Sequence, residues 1–335
     1  MPEPVTPPTT EQLALARRVI ATYLSPTPTV PMLVRGRRVY AKLESLQVTG
    51  SFKVRGALAA ISAAHRADPS GAVITSSAGN HVLGIAHASS LLGVRATVVV
   101  PANASAAKVA KLRRYEIELI QHGSSYDEAQ AHAKDLALTR SLHYISPFND
   151  PDVIAGQATV FEEMIAQAPD LEHLVVPVGG GGLLSGVLIA REALSRADVG
   201  VTGVQPEESA ALYHVLRGVP MSQVAHRPTI ADGLAGGGDE GAVTNAIIAA
   251  HGVQLVLVPE VEIRAGVREC AETNGVVLEG SATTAYAAIA TGLVGAHVER
   301  VGFIASGRNI AHELLLELLG EPLRAPDGVG ANLAR

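Results

Sequence analysis

The chain has 335 residues, of which 47% are hydrophobic and 17% are charged, and its net charge is −6. This length suggests about two domains and can bury a large core without disulfides. The acidic balance argues against nucleic acid as a partner, and no apolar run is long enough for a membrane helix. The Pro- and Thr-rich start does not resemble a signal peptide, so we expect a cytoplasmic protein. The single cysteine, Cys270, excludes an internal disulfide and is expected to pack inertly in a helix.

Helices and strands are predicted to alternate along the chain. The first helix begins near Thr9, where Gln12 has the spacing of a capping box, and a short strand follows at Val39–Leu43. From residue 72 onward, runs of Val, Ile and Leu alternate with amphipathic helices such as Ser125–Leu138 and Leu183–Ser195. The predicted strands in this part are Ala72–Thr75, Ala96–Val100, Glu118–Gln121, His143–Ile145, Leu174–Val178, Gly200–Val204, Leu255–Val258 and Val301–Ala305. Because most of them are apolar on both faces, the pattern predicts an α/β protein whose parallel sheets are covered by helices.

Lys53 is the first candidate for a functional residue. Lysine is rare in this chain, with five residues, and the other four lie in ordinary helix or strand contexts. Lys53 instead lies among small residues in the segment Thr49–Ala57, just before an alanine-rich helix. Small neighbours leave room for a ligand at the amine, although a solvated lysine explains the segment equally well when it is taken alone.

Four consecutive glycines, 179–182, connect a predicted buried strand to an amphipathic helix that begins at Leu183. Consecutive glycine N–H groups can turn toward one anion, and the helix N-terminus adds partial positive charge. As a plain flexible connection the four glycines would only cost entropy, so we expect an anion site here. The Walker lysine does not follow this loop. A G-x-G-x-x-G match at residues 236–241, with Glu260 as its acid, lacks the preceding strand of a dinucleotide site.

Two further strand ends carry polar residues. Residues 76–81, Ser-Ser-Ala-Gly-Asn-His, follow one predicted strand, and residues 306–309, Ser-Gly-Arg-Asn, follow another. Helix capping explains each segment equally well when it is taken alone. Because open α/β sheets bind ligands at the carboxyl ends of their strands, we expect these segments and the glycine loop to line one crevice. His81 is expected to be a structural histidine rather than a base or a metal ligand.

Together, these segments resemble one enzyme family. Thr49–Ala57 resembles the cofactor-lysine segment of the pyridoxal-phosphate enzymes of fold type II, the tryptophan-synthase-β-like family. The threonine/serine dehydratase and serine racemase branch of that family is the best match. The other matching segments follow in the family's order and extend the resemblance over residues 10–320; they are 77–81, 151–157, 179–183, 229–233 and 306–309.

This resemblance implies two three-layer αβα domains with mostly parallel open sheets. The large, cofactor-binding domain would combine residues 1–53 with 149–320. The small domain, residues 54–148, would close on a small amino-acid substrate, and residues 321–335 would form a loose tail. The resemblance also implies a homodimer or homotetramer.

The resemblance assigns roles to the candidate residues. Lys53 would hold pyridoxal 5′-phosphate covalently and later remove the Cα proton of the substrate. Asn80 would hydrogen-bond the 3′-oxygen of the ring, Ser306 would face the ring nitrogen, and the glycine loop would hold the phosphate. The complete cofactor set is Phe52, Lys53, Asn80, Gly179, Gly180, Gly181, Gly182, Leu183 and Ser306. The loop that would bind the substrate carboxylate is Ser77, Ala78, Gly79, Asn80 and His81.

The implied reaction is that of a threonine/serine dehydratase, which converts a 3-hydroxy amino acid into a 2-oxo acid and ammonia by β-elimination. Arg308, in place of a usual glycine, also suggests a dehydratase of hydroxyectoine utilisation or a 3-hydroxyaspartate ammonia-lyase. Ala78 replaces the serine of related racemases, so we expect little racemisation. Two other classes stay open: a nicotinamide oxidoreductase that uses residues 236–241, and a binding protein that does not use Lys53.

No metal ion is predicted. Gln205 and Ala211 occupy positions at which family members with a divalent-cation site carry an acid. Mg²⁺ and Ca²⁺ need such hard oxygen ligands, so little activation by either ion is expected. Glu207 and Glu208 lie nearby and leave a shifted site open.

Overall fold

A computed structural model describes residues 5–77, 79–104, 106–236, 238–239 and 241–320. The predicted tail at 321–335 and the loop residue Ala78 lie outside these described residues. Within the described ranges, no helix is both long and apolar enough to cross a membrane.

The described residues form ten strands and twelve α-helices. The strands are β1 Thr29–Val34, β2 Arg37–Lys42, β3 Val73–Ser76, β4 Ala96–Val100, β5 Glu118–Gln121, β6 His143–Tyr144, β7 His173–Pro177, β8 Gly200–Pro206, β9 Gln254–Val258 and β10 Val301–Ile304. The helices are α1 Thr10–Tyr23, α2 Lys53–Ala67, α3 Asn80–Leu92, α4 Ala106–Leu112, α5 Tyr126–Thr139, α6 Pro151–Gln167, α7 Gly182–Ala193, α8 Ala211–Val215, α9 Val243–Ala250, α10 Glu260–Asn274, α11 Gly280–Ala290 and α12 His312–Gly320.

The strands form two sheets. The larger has the order β1-β2-β10-β7-β8-β9, and the smaller has the order β5-β4-β3-β6. All neighbouring strands are parallel except β1 and β2, which are antiparallel with Thr29 opposite Lys42. The α/β class with mostly parallel sheets is therefore confirmed. The domain limits at residues 53 and 148 stay a prediction, and all strands of the smaller sheet lie between residues 73 and 144.

Several helix boundaries follow from local sequence. Thr9 caps α1 by accepting a hydrogen bond from the Gln12 N–H, and the Gln12 side chain accepts one from the Thr9 N–H, so the predicted capping box is present. Ser125 caps α5 by accepting from the N–H of Glu128 at 3.2 Å. Cys270 is fully buried in α10, where desolvation raises the pKa of its thiol.

Strand β1 is not predicted by the sequence pattern. Pro31 within it, and prolines on either side of Thr27, favour a loop. The strand forms because it lies at the sheet edge, where a proline can leave its missing N–H on the unpaired side. Burial supports it: Met32 and Val34 are buried, whereas Leu33 between them is 42% exposed.

Glycines allow three helices to pack closely beside the candidate site. A Cβ atom at Gly156 of α6 would lie 2.6 Å from the carbonyl oxygen of Arg55 in α2. A Cβ atom at Gly186 of α7 would lie 2.7 Å from the backbone nitrogen of Ala158 in α6. Helix α2 also packs against α3, which follows β3 of the smaller sheet. Helices α2, α6 and α7 therefore form one layer that joins the two sheets.

A buried ion cluster fixes the start of α2. Arg55 and Glu44 are both inaccessible to solvent, and two hydrogen bonds of 2.8 Å join them. Arg55 also donates two bonds of 2.7 Å to Glu163 of α6, which accepts a third from Lys42 at 2.7 Å. Burial lowers the pKa of Arg55, but the two carboxylates outweigh it and the net pKa is raised. The cations Arg55 and Lys42 thus balance the carboxylates of Glu44 and Glu163. Arg55 lies two residues after Lys53 in α2, so the cluster lies close to that lysine.

Arg55→Ala is expected to lower the free energy of unfolding by about 3–5 kcal/mol, because it removes the buried cation that pairs with Glu44 and leaves Glu163 with its bond from Lys42. Urea unfolding followed by circular dichroism measures the loss. Arg140→Ala is the control, because Arg140 binds Glu118 at the surface, where the two side chains are 46% and 50% exposed. For that variant we expect less than about 1 kcal/mol. Equal losses in the two variants would contradict a special role for the buried cluster.

Candidate active site

A cleft of about 320 Å³ lies where strands β3, β7 and β10 end and helices α2, α3 and α7 begin. Residues from both sheets therefore line it, as expected for ligand sites in open α/β sheets. The lining residues that the sequence analysis singled out are Phe52, Lys53, Ser77, Gly79, Asn80, His81, Gly179, Gly180, Gly181, Gly182, Leu183 and Ser306. Folding brings these segments together, and the role of each residue stays a prediction.

The amine of Lys53 lies inside this cleft. It donates a hydrogen bond to the carbonyl oxygen of Pro147 at 2.9 Å and lies 5.3 Å from the centre of the Phe52 ring. Burial lowers the pKa of Lys53 to about 8, because desolvation disfavours the charged amine. A large share of the amine is therefore neutral near pH 8. The neutral amine is the form that attacks a carbonyl or accepts a proton.

The four glycines form a cradle at the start of α7. Gly181 has a φ of +86°, which glycine adopts without steric cost, and Gly182 begins the helix. The carbonyl oxygen of Gly180 accepts a hydrogen bond from Thr244 Oγ1 at 2.8 Å, so the N–H on the other side of that peptide faces away from α9. The N–H groups of Gly180 and Gly181 have no acceptor among the described residues. Together with the helix dipole, they suit an anion.

Phe148 closes the cradle from the connection between β6 and α6. A Cβ atom at Gly180 would lie 2.5 Å from its ring, and one at Gly182 would lie 3.1 Å from its Cα atom. The side chain of Asn149, the next residue, accepts the N–H of Val243 at 2.9 Å and ties this connection to α9. Glycine is therefore required at position 180 by a contact that the sequence does not reveal.

Phe52 and Ser306 join the start of α2 to the end of β10. The N–H of Phe52 donates to the carbonyl oxygen of Ser306 at 3.1 Å, and the neighbouring residues Ser51 and Gly307 form an isolated β-bridge. Ser306 is 3% exposed and lines the cleft. At this place the chain presents a neutral hydroxyl rather than an acid.

The described part of the loop between β3 and α3 presents small polar groups. Ser77 Oγ accepts the N–H of Gly79 at 3.2 Å. His81 is 2% exposed, and its Nε2 atom lies 3.0 Å from Thr75 Oγ1. Burial, with a smaller contribution from the charge of Lys53, lowers the pKa of His81 to about 3. His81 is therefore neutral at ordinary pH, which suits a structural role better than that of a base.

Glu279, a carboxylate that the sequence analysis did not single out, also lines the cleft and is 5% exposed. Its Oε1 atom accepts from Asn80 Nδ2 at 2.7 Å, and its Oε2 atom accepts from the Asn309 N–H at 2.9 Å. Asn309 Nδ2 donates to Asn80 Oδ1 at 2.7 Å. Asn80 thus keeps one N–H of its amino group for a ligand. Glu279 was missed because an acid just before an alanine-rich helix is an ordinary helix start.

The dinucleotide alternative finds no support in this region. Among the described residues, no strand leads directly into the G-x-G-x-x-G match at 236–241, since the preceding strand, β8, ends at Pro206. Its proposed acid, Glu260, accepts hydrogen bonds from Thr229 Oγ1 at 2.6 Å and from the Ile230 N–H at 2.7 Å. Glu260 is thus engaged within the protein at the start of α10.

Arg308 lies apart from the cleft. Its side chain is exposed and is not among the lining residues, and its N–H donates to the carbonyl oxygen of Gly50 at 2.9 Å. Arg308 therefore gives no support to either of the alternatives that it suggested in the sequence, because its exposed side chain is not among the residues that line this cleft.

The proposed metal positions carry ordinary structural contacts. Gln205 Oε1 accepts the N–H of Tyr213 at 2.7 Å, and Ala211 begins α8. Within the described ranges, no group of three or more His, Cys, Asp or Glu residues could hold a metal ion. The expectation of a metal-free site stays a prediction.

Comparison with known proteins connects this cleft to a cofactor. Residues 20–307 match the model of a family described as pyridoxal-phosphate dependent enzyme. L-Threonine ammonia-lyase of Thermotoga maritima is 36% identical over 290 residues, which are 87% of this chain and 72% of that protein. The catabolic L-threonine dehydratase of Escherichia coli K12 is 31% identical over 84% of this chain and 86% of that protein. Among solved structures, serine racemase from Dictyostelium discoideum has a TM-score of 0.81 at 32% identity, and the match covers 91% of this chain and 99% of that one.

The residues of the cleft fit this cofactor on structural grounds. The glycine cradle offers backbone N–H groups without acceptors among the described residues, as a phosphate requires. The amine of Lys53 is partly neutral, as attack on an aldehyde requires. Asn80 adds an amide N–H that has no acceptor among the described residues, and Ser306 adds a neutral hydroxyl on the same cleft.

Gly180→Ala is expected to weaken pyridoxal-phosphate binding about tenfold or more, because the new Cβ atom must displace the Phe148 ring that closes the cradle. Equilibrium dialysis of the cofactor-free protein measures the Kd. Gly241→Ala is the control, since nothing lies within 4 Å of a Cβ atom at Gly241 and its φ is not positive. Unchanged cofactor binding by Gly180→Ala would contradict the assignment of the phosphate to this loop.

Lys53 in the cofactor-free protein is expected to react as an amine with a pKa of about 8. Its acetylation rate at trace acetic anhydride should rise about tenfold per pH unit below pH 8 and then level off. A lysine of ordinary pKa continues to gain reactivity up to a pH of about 10.4. Mass spectrometry of the Lys53 peptide, with N-acetyl-lysine amide as internal reference, gives the profile. A profile parallel to the reference would contradict the burial argument.

Proposed function

The chain belongs to the pyridoxal-phosphate dependent enzyme family, and we propose that it is a threonine/serine dehydratase that releases a 2-oxo acid and ammonia from a 3-hydroxy amino acid. The observation that carries the proposal is the amine of Lys53, partly neutral and held in a cleft that the glycine cradle also lines. The names of the relatives from T. maritima and E. coli support the substrate class.

Separate groups of the chain hold the cofactor in this proposal. The N–H groups of residues 179–183 would bind the phosphate, and the amine of Lys53 would hold the aldehyde carbon. Asn80 would donate to the 3′-oxygen, Ser306 would face the ring nitrogen, and Phe52 would pack beside the ring. The cleft position of each of these side chains supports its assignment.

The bound cofactor supplies an electron sink that acidifies the Cα–H of an attached amino acid. Lys53 is the base that takes this proton, because its pKa of about 8 keeps part of it neutral near physiological pH. The carbonyl oxygen of Pro147 accepts a hydrogen bond from the amine and so orients it. His81 does not compete for the proton, since its pKa is about 3.

The loop of Ser77, Ala78, Gly79, Asn80 and His81 binds the substrate carboxylate in this proposal. Its described members line the cleft beside Lys53. Racemisation needs a second proton donor on the face opposite Lys53, and the methyl group of Ala78 has no proton to give. Elimination needs no such donor, which favours the dehydratase.

We further propose a cytoplasmic homodimer or homotetramer in which residues 54–148 close on the substrate. Light scattering after size-exclusion chromatography gives the oligomeric state.

Lys53→Ala is expected to abolish formation of 2-oxo acid from L-threonine and L-serine, because the base and the covalent holder of the cofactor are the same amine. A coupled ketoacid assay measures turnover, and circular dichroism shows whether the fold is retained. Lys134→Ala is the control, because Lys134 lies on α5 against Tyr144 and does not line the cleft.

More than a trace of ketoacid from Lys53→Ala would contradict the assignment of the base. The same L-serine incubation, analysed by chiral chromatography, tests the reaction type. D-Serine that accumulates as fast as pyruvate would refute the dehydratase proposal and the argument from Ala78.

A further inference from the structure

We propose that Glu279 is a positioning residue that fixes the orientation of the Asn80 amide toward the cofactor. This proposal rests on the proposed function, in which Asn80 donates to the 3′-oxygen of the cofactor. Its basis is a chain of hydrogen bonds among Asn80, Glu279 and Asn309, with lengths of 2.7, 2.9 and 2.7 Å.

Glu279 decides which end of the Asn80 amide faces it. A carboxylate only accepts hydrogen bonds, so the amino group of Asn80 must point toward Glu279. Asn309 enforces the same orientation from the other side, since its Nδ2 donates both to Asn80 Oδ1 and to the Thr49 carbonyl oxygen. A flipped Asn80 amide would place an oxygen against the carboxylate and an amino group against an amino group.

The same contacts connect the two sheets across the cleft. Asn80 begins α3, which follows β3 of the smaller sheet. Glu279 precedes α11 and Asn309 follows β10, which packs within the larger sheet. A Cβ atom at Gly307 would collide with Oε1 of Glu279, so the carboxylate is confined from that side too. Asn80 is thus held by the larger sheet's elements while it presents its remaining N–H to the cleft.

Glu279→Gln tests the proposal with almost no change of shape. The glutamine side chain of this variant has one oxygen and one amino group, so it cannot accept hydrogen bonds from both Asn80 and Asn309 with separate oxygens. We expect the Kd for pyridoxal phosphate to rise about tenfold or more, because a hydrogen bond to a charged group is lost and the donor of Asn80 is no longer oriented. The absorption maximum of the bound cofactor should also shift, since it reports on the donor at the 3′-oxygen.

The double variant Asn80→Asp/Glu279→Gln separates orientation from simple stability. Its aspartate can accept from the introduced glutamine and from Asn309, so the hydrogen bonds between the sheets return with the net charge unchanged. The aspartate has no N–H for the cofactor. We expect the melting temperature and the hydrogen-exchange protection of the first turn of α3 to recover, while the weak cofactor binding persists.

Glu260→Gln is the matched control, because Glu260 also accepts hydrogen bonds from a side chain and a backbone N–H but does not line the cleft. It should lower the melting temperature and leave the Kd for the cofactor unchanged. Three results would overturn the proposal: wild-type binding and spectrum in Glu279→Gln, recovered binding in the double variant, or equally weak binding in Glu260→Gln.

These results are distinguishable from a failure of the proposed function. A wild-type protein that binds pyridoxal phosphate but deaminates neither L-threonine nor L-serine would refute the dehydratase alone, because the binding measurements still decide the role of Glu279. A wild-type protein that does not bind the cofactor would refute both.

Discussion

The ion pairs of Arg55 with Glu44 and Glu163 are the constraint on which the position of Lys53 depends. Charges taken out of water must be paired with good geometry, because an unpaired one is strongly destabilising. Arg55 satisfies two carboxylates from two different elements, the turn at Glu44 and helix α6. The start of α2 cannot move relative to either without breaking these bonds. Lys53 lies half a turn earlier on α2, so the same cluster places its amine beside Pro147.

Close packing of the helix backbones brings the residues of the binding site together. The glycines at 156 and 186 let α2, α6 and α7 approach until backbone atoms touch. This approach brings the cradle at the start of α7 next to the helix that carries Lys53. Position 180 has a different constraint, because there the absence of a Cβ atom leaves room for Phe148. Glycine therefore serves helix packing in one part of the molecule and the fit of Phe148 against the cradle in another.

The fold that this chain shares with its relatives does not by itself determine the reaction. Proteins named threonine ammonia-lyase and serine racemase both resemble this chain over most of its length. A fold can host several chemistries, and the difference lies in a few polar atoms at the site. In this chain the amine of Lys53 donates to the carbonyl oxygen of Pro147, and the neutral His81 and Ser306 line the same cleft.

Local patterns in the sequence predicted much of the fold and of the candidate site. Apolar strands predicted the parallel sheets, and Thr9 and Gln12 predicted the first helix. The segments around Lys53 and the glycine loop, with four further motifs in the same order, resembled one family, and that resemblance implied its cofactor. These signals are carried by neighbouring residues, so they can be read without a fold. Strand β1 was missed because Pro31 is compatible with a strand only at a sheet edge, and edges are defined by pairing.

Only the tertiary structure decided how the site is held together. The contacts of Glu279 with Asn80 and of Phe148 with Gly180 join residues far apart in sequence. The low pKa of His81 and the lowered pKa of Lys53 depend on burial that no local pattern reports. Arg308, prominent in the sequence, proved to lie outside the cleft. The physical reason is the same in each case: hydrogen bonds, steric contacts and desolvation act between atoms that are close in space, and folding alone brings those atoms together.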